Sequence, residues 1–210
     1  MITKTRDEAA TRFEALGAQP GRVMELVGEH GSGLTRLGLS FLAEHSRQAP
    51  VAALDVRGWL SPSAAWEVGV RSDRLVVVRC PERGVWPKVA AALLEGVKAV
   101  YAEVPPGMGE HDLRRLGALA RARRASVVFR SLGGALPSGV SYLRLQARGV
   151  TWEGTEEGHG RLRRRHLLLE ATGKGVFGMS QLLEVEDSGA DFVCVVPGLA
   201  VGPSRRAITG

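Results

Sequence analysis

Gly28-Glu29-His30-Gly31-Ser32-Gly33-Leu34-Thr35 has the glycine spacing of a phosphate-binding loop, G-x-x-x-x-G-K-[ST], with leucine in place of the lysine. In a working loop the glycines let backbone N–H groups close around phosphate oxygens, the lysine neutralises the β and γ oxygens, and the hydroxyl holds magnesium. Gly28, Gly31, Gly33 and Thr35 keep that frame and are the candidate nucleotide contacts. Leu34 brings neither donor nor charge, so the charge developing on a transferring phosphoryl group would go unbalanced. Two readings of the loop stay open: a ligand-free strand-to-helix turn, or weak residual binding of ATP or ADP without fast hydrolysis. Its flanks suit a strand–loop–helix unit. Val23-Met24-Glu25-Leu26-Val27 reads as a buried strand, and Leu37, Leu39, Phe41 and Leu42 give the following helix an apolar face.

At 210 residues and 44% hydrophobic content, the chain can bury one sizeable core with appendages. No stretch is long and apolar enough to span a bilayer, and Met1 to Glu8 lack the apolar segment of a secretory leader. A cytoplasmic protein with no membrane partner is expected. Cys80 and Cys194 stand far apart with no Cys-x-x-Cys pairing and read as structural thiols. The histidines His30, His45, His111, His159 and His166 form no ligand pattern, so no metal is expected.

A net charge of +6 suits nucleic acid or an acidic protein surface. Arginines cluster at Arg114, Arg115, Arg121, Arg123 and Arg124 on one expected helix, and again at Arg161, Arg163, Arg164 and Arg165. Of these, Arg121, Arg123, Arg124, Arg163, Arg164 and Arg165 are the candidates for contact with DNA or an acidic partner; the alternative for each is a solvated face. Trp152 is the one aromatic near such a cluster, so DNA binding would be electrostatic and independent of sequence.

Along the chain, residues 6–16 read as a short N-terminal helix stopped by Gly17. Strands are expected at Val51–Asp55, Leu75–Val78, Ala99–Ala102 and Val127–Phe129. Helices fall between them: one from Ser61 as cap and Pro62 as first residue to about Val68, one at about 86–96, and an arginine-rich one at about 110–124. Strand–helix alternation with near-continuous apolar strands predicts a mainly parallel central sheet flanked by helices. Beyond residue 140, alternating segments at Tyr142–Gln146, His166–Glu170, Leu182–Glu186 and Asp191–Val196 extend the sheet with antiparallel strands, the last two joined by a turn at Asp187–Ala190. Val201–Gly210 reads as a tail.

In this order the chain resembles the RecA core from about Pro20 to Gly178. The stretches that carry the resemblance are Gly21–Gly28 running into the glycine loop, then Leu54-Asp55-Val56, Ser61–Val70 and Leu75. The resemblance implies an α/β, RecA-like P-loop fold for the degenerate core at 20–178; around it stand a helix and arm at 1–19 and a hairpin and tail at 179–210, a candidate partner-binding region whose deletion is expected to abolish partner binding and leave the core folded. The departures share a direction. Val85 stands where that family carries its water-activating glutamate, and Glu103 replaces the aspartate that holds magnesium through water; otherwise Glu103 is a solvated residue before Val104. The segments that bind single-stranded DNA in RecA fall near Val104–Asp112 and Leu132–Ser141, here short and partly acidic.

Without the lysine and the glutamate the chain is similar to the ImuA-type accessory proteins of bacterial mutagenesis. That resemblance implies a cytoplasmic, nucleoid-associated, non-catalytic adaptor of the DNA-damage (SOS) response. Its partners would be an inactive Y-family polymerase homologue of the ImuB type and an error-prone DnaE-type polymerase, with DNA binding and self-association open. Candidate partner contacts are Phe13 and Leu16 on the first helix, and Phe177, Met179, Leu182 and Leu183 near the C-terminus, with core packing as the alternative for each. Two competing functions are a nucleotide-binding ATPase or switch that binds DNA, with Lys174 or an arginine replacing the missing lysine, and a SulA-like inhibitor of cell division.

Overall fold

The computed structural model describes residues 19–154, 164–187 and 193–196, the last for backbone path alone. The expected helix at 6–16 with Phe13 and Leu16, then Arg161 and Arg163, the turn at 188–190 and the tail at 201–210 lie outside the described residues.

The apolar runs become strands β1 (Val23–Val27), β2 (Val51–Asp55), β3 (Leu75–Arg79), β4 (Ala99–Val104) and β5 (Ser126–Ser131). Between them lie helices α1 (Leu34–Ser40), α2 (Ala43–Gln48), α3 (Pro62–Trp66), α4 (Trp86–Gly96) and α5 (Glu110–Arg123). The chain continues into β6 (Leu143–Glu153), β7 (Arg164–Gly173), β8 (Gln181–Asp187) and β9 (Val193–Val196). One sheet holds all nine described strands in the order β3-β2-β4-β5-β1-β6-β7-β8-β9. From β3 through β6 every pairing is parallel, and from β6 onward every pairing is antiparallel.

Strands β1, β2, β4 and β5 are buried at every residue, because helices cover both faces of the sheet. On one face Leu34, Leu37, Leu39 and Leu42 pack against Leu26, Ala53, Tyr101 and Val128 and reach out to Leu145, Leu167, Leu169 and Val185. On the other, Trp86, Leu94, Leu113 and Leu116 pack against Val23, Leu54, Val100, Val127 and Phe129.

Local chemistry adjusts the expected boundaries. The helix leaving the glycine loop breaks in two at Phe41 and Leu42. Ser40 Oγ donates to the Leu37 carbonyl at 2.7 Å, and the Leu42 N–H turns back onto Leu39 in an i to i+3 bond. Pro62 takes the first position of α3, but Ser61 makes no capping bond; its hydroxyl pairs instead with Ser63 at 2.8 Å, and the helix stops at Trp66. Strand β6 is longer than its alternation suggested: its first residues pair in parallel with Met24–Val27, and its whole length then pairs with β7 across a bulge at Arg148. The expected division at 178/179 falls in the connection between β7 and β8, inside one continuous sheet.

Candidate functional site

The glycine loop leaves the C-terminal end of β1 and opens on a cleft of about 640 Å³, bounded by Ser131 at the end of β5, by Leu132 and Gly134 beyond it, and by Gln146 to Val150 and Trp152 of β6. Gly31 and Gly33 have φ of 80° and 78°, conformations that glycine alone adopts without strain. Gly28 has no room for a side chain, since a Cβ there would lie 2.8 Å from the Ala147 Cβ and 2.9 Å from Leu34 Cδ1. Leu34 is 1% exposed and belongs to the apolar core. The loop is braced from outside by Arg130, whose guanidinium donates to the carbonyls of Gly28 at 2.6 Å, Glu29 at 3.3 Å and Leu26 at 3.4 Å. Burial is the chief influence on Arg130 and pulls its pKa below the ordinary arginine value. Inside the loop, both the hydroxyl and the N–H of Ser32 bond to the Glu29 carbonyl.

Thr35 sits at the second position of α1, beside Tyr101 of β4. Burial first, and the Glu103 charge second, push the Tyr101 phenol up, with Thr35 acting in the opposite sense. The Tyr101 ring also explains Gly38: a Cβ there would lie 2.5 Å from ring carbon Cε2.

Glu103 is neither solvated nor free to reach a metal through water. It is 1% exposed, and one oxygen accepts the Val56 and Arg57 N–H groups at 3.0 and 3.2 Å. The other oxygen takes both Nε at 3.0 Å and Nη2 of Arg57. Asp55 at the end of β2 caps the same turn, accepting from the Gly58 and Leu60 N–H groups. Val85, which offers no proton acceptor, is the exposed residue before α4.

Of the arginine run at 161–165, the two described members, Arg164 and Arg165, do not share one face. Successive strand residues face opposite ways, so Arg164 stays exposed near Glu186, at 3.5 Å, while Arg165 points inward. Its guanidinium pairs with the buried Asp187, lies 5.2 Å from the centre of the Trp152 ring, and packs against Gly33. Arg165 thus spends its charge inside the molecule, with 11% of its side chain exposed, whereas Arg164 keeps its side chain at the surface. Arg121, Arg123 and Arg124 are exposed at the end of α5, where Arg124 takes a left-handed conformation that closes the helix.

Leu132–Ser141 is anchored rather than loose. The buried Glu25 carboxylate accepts from the Leu136 N–H at 2.7 Å, Ser141 Oγ at 2.8 Å and Arg144 Nε at 2.8 Å, and Arg144 also holds the Leu136 carbonyl. Among the apolar candidates, Phe177 is 91% exposed and Met179 64%, and Leu182 is exposed too. Leu183 instead packs against the core, since it faces inward with Val185 and Asp187 on β8. Lys174 sits exposed in the turn before Phe177.

These residues do not fit a magnesium nucleotide. No cation enters the loop from α1, the Ser32 amide is turned onto Glu29, and the acid at the strand end is held by Arg57. Among the described residues no group of three or more His, Cys, Asp or Glu side chains is placed to hold a metal ion, and no helix is long and apolar enough to cross a membrane.

A family model described as the MT3502 N-terminal domain matches residues 13–137, a span that takes in the loop and β1 to β5. The chain is also similar to RecA of Clostridium tetani, 31% identical over 130 residues that make up 57% of this chain and 37% of that protein. RecA of Leptospira biflexa is 31% identical over 129 residues, 57% of this chain and 33% of that protein. For RecA of Bacillus mycoides the figures are 32% over 132 residues, 58% and 38%. The matched stretch thus spans 33% to 38% of these three relatives.

Proposed function

The chain belongs to the MT3502 N-terminal domain family, and from that premise we propose that it is a non-catalytic adaptor built on a RecA-like core. In this reading it works in damage-induced mutagenesis, binding an inactive Y-family polymerase homologue of the ImuB type and supporting an error-prone DnaE-type polymerase during translesion synthesis. The observation that carries the reading is the state of the phosphate loop: its glycine frame is intact, but its cation position is a core leucine and the nearby acid is locked to an arginine.

Such an adaptor needs surface rather than chemistry. Phe177 and Met179 on the connection between β7 and β8, with Leu182 at the start of β8, supply exposed apolar side chains that can serve a partner. Arg121 and Arg123 on α5 offer charge to DNA or to an acidic protein face.

Co-expression with an ImuB-type homologue tests the reading. The wild type is expected to co-purify with it and to show no ATP turnover. Phe177→Asp with Met179→Asp should lose the partner while melting at an unchanged temperature. Full capture by the double variant, or turnover by the wild type, would reject it.

A further inference from the structure

Glycines persist in a phosphate loop so that phosphate can approach the backbone, yet here the approach to Gly33 is made by the chain itself. A Cβ on Gly33 would lie 2.3 Å from the guanidinium carbon of Arg165 and 2.4 and 2.6 Å from its two terminal nitrogens. That guanidinium is held from two sides and carried on a fixed strand. Asp187, 6% exposed, pairs with it from β8, and the same carboxylate takes Arg36 Nε of α1 at 3.0 Å. The Trp152 ring faces it from β6. The strand that carries it is fixed by Leu167 and Leu169 in the core. Its Nε is buried without a hydrogen-bond partner, a cost that strand packing alone does not call for.

We propose that Arg165 seals the Gly33 end of the loop: the chain seats its own guanidinium on the last glycine, clamps it with Asp187, and so closes that end to phosphoanions independently of the Leu34 replacement, while Gly28 to Ser32 still line the cleft. Gly33 then serves an arginine where the motif's spacing serves a phosphate, and the loop becomes the docking point for the C-terminal strands. The seal and the adaptor reading are separate, and either can fail alone.

Hydrogen exchange on the full chain tests this without a ligand. In Arg165→Ala, amides of residues 28–37 should exchange at least tenfold faster, with β2 and β4 unchanged; loop exchange at the wild-type rate would overturn the proposal. Asp187→Asn, which loosens the arginine without deleting it, should move the same amides in the same direction and covers the case in which Arg165→Ala does not fold. A second arm restores the missing cation. Magnesium ADP titrated into Leu34→Lys and into Leu34→Lys with Arg165→Ala should bind the double variant at least tenfold more tightly, with circular dichroism confirming both folds. Equal affinities, or no binding to a folded double variant, would overturn it.

Discussion

Glu103 and Arg57 form a closed pair at the C-terminal end of the sheet: the carboxylate takes two guanidinium N–H groups with one oxygen and two backbone N–H groups with the other. Every strong acceptor direction of a buried acid is thereby filled by protein. Removing the carboxylate strands Arg57 and two backbone donors, so Glu103→Ala should lower stability by about 3 kcal/mol in urea unfolding. A variant as stable as the parent would show that the pair is dispensable.

From inside the sheet Glu25 binds two donors of the segment between β5 and β6, the Leu136 N–H and Ser141 Oγ, and a third, Arg144 Nε, on β6 itself. Glu25→Ala leaves the Leu136 N–H and the Arg144 guanidinium without their acceptor and should cost about 3–5 kcal/mol. Amides of residues 132–141 should lose protection before those of β4, which hydrogen exchange would register residue by residue.

Gly38 lies within α1, where alanine is the better helix former by about 1 kcal/mol. Contact with Tyr101 reverses the sign: the new methyl would sit 2.5 Å from the ring, so Gly38→Ala should destabilise by about 1–3 kcal/mol. Restored stability on pairing it with Tyr101→Leu would confirm the clash as the cause.

Phe177 carries a positive φ of 56° and is almost fully exposed. Left-handed backbone costs a non-glycine residue about 1 kcal/mol, so Phe177→Gly should raise thermal stability while weakening capture of the polymerase homologue. Opposite movements of the two readouts would mark the side chain as kept for a partner rather than for the fold.

Glu170 is held below the ordinary carboxylate range, first by the Ser180 hydroxyl and then by Arg148. Its pKa is lower folded than unfolded, so its contribution is complete above the unfolded value of about 4.3 and fades as pH falls through the folded one. Ser180→Ala should raise the Glu170 titration midpoint, measured by carbon NMR of the side-chain carboxyl, and shift the onset of acid unfolding to higher pH.

The glycine loop and the strands β1 to β5 were readable from the sequence because five short apolar runs alternate with helix-length segments, a pattern with few folded solutions. The polar interior was harder. Glu25 and Arg130 sit in apolar runs, and a charge inside such a run is itself the signal that a buried partner exists, although it does not name the partner. Arg165 was legible by parity: it lies two and four residues before Leu167 and Leu169, so a strand that buries those leucines turns Arg165 inward as well. Reading the arginine run as a block concealed that alternation. That Glu103 is buried rather than solvated was not legible for a related reason, since its tie to Arg57 spans 46 residues and leaves no local trace.

The unbroken hydrogen bonding from β1 through β6 to β8 bears on how the C-terminal strands can be removed. Val185 and Asp187, both beyond residue 178, are buried, so a chain cut at 178 would not be a trimmed core. It would expose the full length of β7 as a raw edge, with Leu169 uncovered and the Arg165 charge left without its counter-ion. Such an edge is a template for another chain, and the fragment should assemble into strand-exchanged dimers or insoluble aggregates.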